Sequence, residues 1–222
     1  MELIDLKRKV KKGFSLIYRI IKNPQFAYDD YIQFEFEKKM KIKTRGYLHE
    51  SKLGIPLDLE PNNYVPGGNV YLTKVLKKLN IKNQDSIIDL GCGLGSPMLY
   101  FSKFPLKIIS GIEYSKVLYE GCKKNLEKIN DSRFHLFNGD AGNFDSFDNY
   151  NYIFMFNPFG SSTMVRVLDK IKQSYNSKPR RITLIYKNPV LNTEIINTGI
   201  FYKLSEHKTE WVYKIFVYRT NP

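Results

Sequence analysis

Glycines at positions 91, 93 and 95 directly follow the apolar run Ser86-Ile87-Ile88-Asp89-Leu90, and a helical segment follows them near 96–103. Glycines in that context let backbone approach a ligand, while the first turn of the helix offers unpaired N–H groups. The spacing is Gly-x-Gly-x-Gly, shorter than the Gly-x-Gly-x-x-Gly dinucleotide fingerprint, whose third glycine would fall on Ser96. A second apolar run, Ile108-Ile109-Ser110-Gly111-Ile112-Glu113, ends in an acid about 20 residues beyond the loop, where a carboxylate can accept both hydroxyls of a ribose. A third, Phe134-His135-Leu136-Phe137-Asn138-Gly139-Asp140, delivers another acid. Glu113 and Asp140, at the ends of successive strands, converge on the crevice where open α/β sheets bind ligands. The chemistry implied is the holding of a nucleotide cofactor.

The elements that must position these residues are legible as alternating patterns. Strands are predicted at 86–90, 107–112, 133–137, 152–156 and 181–186, with helices at 70–79, 96–103, 116–129 and 162–174. Short apolar runs separated by helical periods indicate βαβ units and a parallel sheet covered on both faces. The stretches 201–204 and 211–218 have no convincing helix between them and are predicted to form a terminal hairpin. Two divisions are expected: 1–69, a basic amphipathic helix and loop-rich cap, and 70–222, the cofactor-binding domain. Within the first, Leu3, Leu6, Val10, Phe14, Ile17 and Ile21 recur at helical spacing among lysines and arginines. That segment, 1–22, either packs on the core or lies on an anionic membrane face. Residues 25–45 could form a second helix, and glycines and prolines between 46 and 69 break regular structure.

With Asp89-Leu90-Gly91-Cys92-Gly93-Leu94-Gly95, Glu113, Asp140 and Asn157-Pro158-Phe159 in view, residues 70–218 resemble the class I S-adenosylmethionine-dependent methyltransferases. The resemblance implies a Rossmann-like, seven-stranded, mostly parallel α/β sheet with a C-terminal antiparallel hairpin and helices on both faces. It implies S-adenosyl-L-methionine as cofactor and S-adenosyl-L-homocysteine as product. On this resemblance the cofactor contacts fall on Asp89, Gly91, Cys92, Gly93, Gly95, Glu113, Tyr114, Asp140, Ala141 and Asn157. Glu113 would hold the ribose and Asp140 approach the adenine amine. The acceptor side falls on Asn157, Pro158, Phe159 and Tyr186. More narrowly, Phe156-Asn157-Pro158-Phe159-Gly160 with Ile185-Tyr186-Lys187-Asn188-Pro189 resembles a group of small bacterial methyltransferases of largely unassigned substrate, in which Lys43-Thr44-Arg45-Gly46 and Tyr64-Val65-Pro66 would close over the cofactor. Asn157-Pro158-Phe159-Gly160 is also similar to the Asn-Pro-Pro-Tyr motif of amino-methyltransferases. Phe159 and Gly160 depart from its last two positions, which weakens a reading as base-amine methylation. Methyl transfer is an in-line displacement at a sulfonium, so proximity and orientation supply most of its catalysis. A general base matters chiefly for a hydroxyl acceptor.

Composition sets the remaining bounds. Lys and Arg number 35 against 22 Asp and Glu, a formal charge of +13. Such a field favours anionic partners, so a nucleic-acid methyltransferase or nucleic-acid binder stands as the alternative to an enzyme acting on a glycan hydroxyl, a protein side chain or a small metabolite. A nicotinamide-dependent oxidoreductase is the rival at the level of the fold, opposed by the strand-four motif and the terminal hairpin. Cys92 and Cys122 suggest a reducing cytosol. His49, His135 and His207 lack metal-ligand spacing, so no metal is expected. No apolar run approaches the roughly 20 residues that span a bilayer. The expected location is cytoplasmic, or peripheral at the inner membrane face.

Overall fold

The computed structural model describes residues 24–209 and 213–221. The predicted basic helix at 1–22 lies outside the described residues, as does Trp211. The chain divides into two compact units, Met1–Lys41 and Ile42–Pro222. In the first, helix α1 spans Pro24–Met40, opening on a proline, which suits a first helical position because its missing N–H would find no partner there. The loop-rich segment 42–69 belongs to the same unit as the sheet.

That unit is built on seven strands: β1 (Ser86–Leu90), β2 (Ile108–Glu113), β3 (Phe134–Asn138), β4 (Tyr152–Phe156), β5 (Thr183–Lys187), β6 (Phe201–Lys208) and β7 (Lys214–Thr220). Their order is β3-β2-β1-β4-β5-β7-β6. The strands β1 to β5 pair in parallel, whereas β7 runs antiparallel to both β5 and β6. This is the Rossmann-like sheet with a closing hairpin that the sequence predicts. The chain steps outward from β1 to β2 and β3, then returns to the other side of β1 as β4. Order reverses between β1 and β4, and the crevice beyond their carboxyl ends is where such sheets bind ligands.

Helices α2 (Val70–Lys78), α3 (Ser96–Phe101), α4 (Lys116–Ile129), α5 (Ser161–Ser177) and α6 (Asn192–Asn197) accompany the strands. Every residue of β1 and β5 is buried, so both faces of the sheet are covered. Alternation along the strands divides the core in two. Ile88, Leu90, Ile153, Met155 and Leu184 pack with Met164, Val167, Leu168 and Ile171 of α5. On the opposite face Ile87, Ile109, Phe154 and Ile185 pack with Leu72, Val75 and Leu76 of α2 and with Met98 and Phe101 of α3. Two helix starts are capped by side chains: Asn69 Oδ1 accepts from Leu72 N, and Ser115 Oγ accepts from Leu118 N. Each satisfies a backbone donor that the helix leaves free.

Residues 42–69 form an irregular cap rather than a disordered linker. Leu48 and Tyr64 exchange backbone hydrogen bonds as an antiparallel bridge, and the Tyr64 hydroxyl donates to Thr44 O at 2.6 Å. The cap is clipped to the sheet by scattered polar contacts. Asn125 of α4 accepts from Lys43 N and donates to Lys43 O, both at 3.0 Å. Ser115 Oγ donates to Leu53 O, Ser96 Oγ accepts from Gly68 N, and Lys187 Nζ donates to Gly67 O. Each contact satisfies a backbone group of a segment with no ladder of its own.

Candidate functional site

A cavity opens beyond β1 and β4. Asp89, Gly91, Cys92, Gly93, Glu113, Tyr114, Asp140, Ala141, Asn157, Pro158 and Phe159 line it, together with cap residues from Leu53 to Gly67. Thus the expected site residues are brought together, with two exceptions. Gly95 faces α4 instead, at φ 85°, where an added Cβ would stand 2.9 Å from Cys122 Sγ. Tyr186 is fully buried behind the cavity wall, and its hydroxyl donates to Asn157 Oδ1 at 3.0 Å. Of the two stretches expected to close the site, Tyr64 and Val65 reach the cavity wall; Thr44 serves them from behind through its carbonyl.

The glycine turn follows from its contacts. Gly91 N and Cys92 N both donate to Ile112 O, folding the chain sharply off the end of β1. Gly91 and Gly93 adopt φ 75° and 58°, which L side chains rarely enter. An added Cβ at Gly93 would also run into the Tyr64 ring, its Cδ2 only 2.7 Å away, and one at Gly91 into Pro158. The loop is therefore thin because the cap presses on one side of it and the β4 turn on the other.

Glu113 ends β2 with its carboxylate turned inward. One oxygen accepts from Gly93 N and the other from Ser115 N, each at 2.8 Å. Burial pushes its pKa up, and these N–H donors pull back against that shift without cancelling it. Asp89, 1% exposed, shares the sheet face of Ile87 and lines the cavity. Its Oδ2 is buried and has no hydrogen-bond partner. Burial, then the charge of Glu113, pushes its pKa well above the ordinary carboxylate range. Asp140 is oriented from outside: Oδ2 accepts from Arg166 of α5 at 2.7 Å, and Oδ1 accepts from Gly142 N at 2.8 Å.

Among the described residues, no lysine, arginine or histidine lines this cavity. Its carboxylates suit a ligand that is cationic and rich in hydroxyls. S-adenosylmethionine fits on these grounds: the orphaned Asp89 oxygen lacks a cation or donor, Glu113 keeps lone pairs for hydroxyls, and the glycine turn leaves a cradle that a Cβ would fill. Also among the described residues, no group of three or more His, Cys, Asp or Glu side chains is placed to hold a metal ion.

At the acceptor end, Asn157 takes φ 41° to turn the chain out of β4. Asn62 Nδ2 donates to its carbonyl at 3.0 Å, so the cap also closes this end. Leu191 N donates to the Tyr186 hydroxyl at 3.4 Å, which leaves the hydroxyl proton for Asn157 Oδ1. Sequence reasoning missed Asn62, Ser115 and Arg166, whose roles arise only from long-range contact. Lys187 stands in the strand-five motif of the resemblance, but sequence reasoning assigns it no role, although a lysine ending an apolar strand is a signal. It is 3% exposed, its Nζ lies 4.2 Å from the Phe156 ring centroid, and burial lowers its pKa to about 8.

Fold and site together define the class I S-adenosylmethionine-dependent methyltransferase class. More particularly, residues 39–157 match the model of the protein-L-isoaspartate(D-aspartate) O-methyltransferase (PCMT) family, and the chain belongs to that family. A 23S rRNA (uracil(1939)-C(5))-methyltransferase of Francisella tularensis subsp. novicida is 29% identical over 168 residues, 74% of this chain and 35% of that protein. The chain thus spans about a third of the length of that relative. A probable cobalt-precorrin-6B C(15)-methyltransferase (decarboxylating) of Methanococcus maripaludis is 25% identical over 135 residues, 56% of this chain and 72% of the relative. Among solved structures, the putative methyltransferase yhhF from Escherichia coli superposes with a TM-score of 0.57 at 14% identity, covering 72% of this chain and 93% of that one. A glycopeptide N-methyltransferase, MtfA, in complex with S-adenosylmethionine gives 0.56 at 10% identity, covering 68% and 92%. Both likenesses describe the fold.

Proposed function

We propose that this protein binds S-adenosylmethionine in the cavity beyond β1 and β4 and transfers its methyl group to an acceptor held against Asn157, Pro158 and Phe159. The observation that carries this reading is the convergence of Asp89, Glu113 and Asp140 on one cavity whose far wall is the strand-four turn. Asp89 and Glu113 receive the cationic and hydroxyl-bearing parts of the cofactor, and Asp140 with Ala141 borders its base. Asn157 and the Pro158 carbonyl orient the acceptor, and Phe159 walls it in. Proximity and orientation supply the rate, since no histidine stands in the described wall to act as a base.

The acceptor is a glycan hydroxyl, a protein side chain or a small metabolite. The family's own name, which describes methylation of a protein side chain on oxygen, supports the second of these. A nucleic-acid acceptor draws on the +13 charge and on the rRNA-modifying relative. The acidic lining opposes it, because phosphate would meet no lysine or arginine there.

Isothermal titration with S-adenosylmethionine and S-adenosylhomocysteine tests the first half of the proposal. Folded protein that shows neither heat nor thermal shift with either compound would refute it. A cell extract given labelled cofactor and this protein, then fractionated into protein, nucleic acid, glycan and small molecules, identifies the acceptor class. Label is expected outside the nucleic-acid fraction.

A further inference from the structure

Asp140 and Arg166 stand 26 positions apart on different elements, and they meet at the cavity wall. Asp140 caps the short turn Ala141–Asn143 that follows β3, where its Oδ1 accepts from Gly142 N at 2.8 Å. Arg166, on α5, donates from Nη2 to Asp140 Oδ2 at 2.7 Å and to Thr163 Oγ1 at 3.2 Å. Asp140, Ala141 and Thr163 line the cavity, whereas Arg166 does not. The guanidinium lies against the bare backbone of Gly142, since an added Cβ there would stand 2.6 Å from Arg166 Nε. Behind this contact Ala141 and Phe144 share a core cluster with Met164 and Val167, so packing fixes the turn against α5. We propose that Arg166 sets the base specificity of the cofactor site, holding Asp140 as an acceptor-only group that takes a 6-amino purine and rejects a 6-oxo purine. The proposal rests on the reading that this cavity holds S-adenosylmethionine with its base beside Asp140.

A carboxylate offers about four lone-pair directions and no donor. Gly142 N and Arg166 Nη2 each take one, on different oxygens, and so set the plane of the group. The lone pairs left over serve a ligand in the cavity that Asp140 lines. The exocyclic amine of adenine meets them with N–H. The carbonyl that hypoxanthine carries at the same ring position would set lone pair against lone pair, and a site built on a hydrogen bond rejects a ligand that cannot make it.

Hypoxanthine has a donor at the neighbouring ring nitrogen, and a carboxylate free to swing could turn to it. Arg166 and Gly142 deny Asp140 that rotation. Arginine suits the task because a terminal guanidinium nitrogen carries two hydrogens in a fixed plane, one for the carboxylate and one for Thr163. The pair is partly open to solvent, with side chains 39% and 17% exposed, so it adds little to folding. Its effect falls on which base is accepted.

The test titrates folded protein at neutral pH with S-adenosylhomocysteine and with S-inosylhomocysteine, its 6-oxo counterpart, and reads the ratio of the two affinities. The unaltered protein is expected to prefer the adenine compound by about tenfold or more, the worth of a hydrogen bond to a charged group. Arg166→Met should cut that ratio severalfold. Gly142→Ala reaches the same contact from the other side: its methyl displaces the guanidinium, the movable end of a long side chain, and the ratio should fall with the arginine still present. Asp140→Ala should abolish the preference, and adding Arg166→Met to it should change the ratio no further. A merely structural role would weaken both ligands by the same factor. A ratio unchanged in Arg166→Met and in Gly142→Ala therefore overturns the proposal, as does equal affinity of the unaltered protein for the two compounds. Binding of neither compound would sink the cofactor reading itself, so the two failures are told apart.

Discussion

At Asp89 the sheet buries a carboxylate whose Oδ2 has no partner, beside a second buried acid. In the ligand-free protein its pKa is raised, so the folded state retains a proton that the unfolded chain releases. Its contribution to stability is complete below the ordinary aspartate value and is lost as pH rises through the folded value. Asp89→Asn removes that loss. The melting temperature of the variant should exceed that of the unaltered protein at neutral pH, with the gap widening as pH is raised from acid conditions. The same change should weaken S-adenosylmethionine binding by about 10- to 150-fold, the worth of a hydrogen bond to a charged group. A cation entering the cavity also lowers the pKa of Asp89. Calorimetry in buffers of different ionisation heat should therefore register proton release on binding to the unaltered protein and less to the variant. Equal stability and equal affinity in the two proteins would remove Asp89 from the site.

Among the elements, the glycine turn and the cap are fitted to each other. Gly93→Ala combines a positive φ, costing about 1–2 kcal/mol, with a collision against Tyr64. Urea denaturation should show a loss at least that large, and the same substitution made on a Tyr64→Ala background should cost about 1 kcal/mol less, because the collision is gone. Equal costs on both backgrounds would mean that the turn does not feel the cap. This contact also marks where sequence reading stops. The strand β1, the helix α4 and the strand β4 stand at their predicted positions, because each is set by a local apolar period. The expected strand at 201–204 extends to Lys208, where the outer edge of the sheet leaves most side chains exposed and the apolar pattern fades. Helix α6 was not predicted; at six residues, with only Ile195 buried, it carries too little periodicity to read. Glu113 and Asp140 were legible because they follow apolar strands, and Asp89 through the resemblance carried by the glycine loop. The partners of the cap were not, since Ser115, Asn125 and Asn157 meet it only through the tertiary fold.

For the whole molecule, a charge of +13 surrounds a cavity whose described wall has no lysine or arginine. Exposed charge is screened by salt, whereas buried contacts are screened far less. Any affinity for single-stranded RNA should therefore be non-specific and fall steeply, by about 10³ or more between 50 and 200 mM salt if several phosphates are engaged. The affinity for S-adenosylhomocysteine should change little over the same range. RNA binding that survives the higher salt, measured by fluorescence anisotropy, would instead favour a nucleic-acid acceptor. The path of the cap has a consequence of another kind. Residues 42–69 leave the ribosome ahead of every strand, yet the groups that clip them to the sheet come later: the side chains of Ser96, Ser115 and Asn125, the carbonyl of Asn157, and finally the side chain of Lys187, which is 120 positions beyond Gly67. The first part of this unit to be synthesised thus finds its sheet partners late. During translation the cap must wait, with only its own Leu48–Tyr64 bridge to hold it, for a sheet that does not yet exist, and the crevice acquires its roof only after β5 has been made.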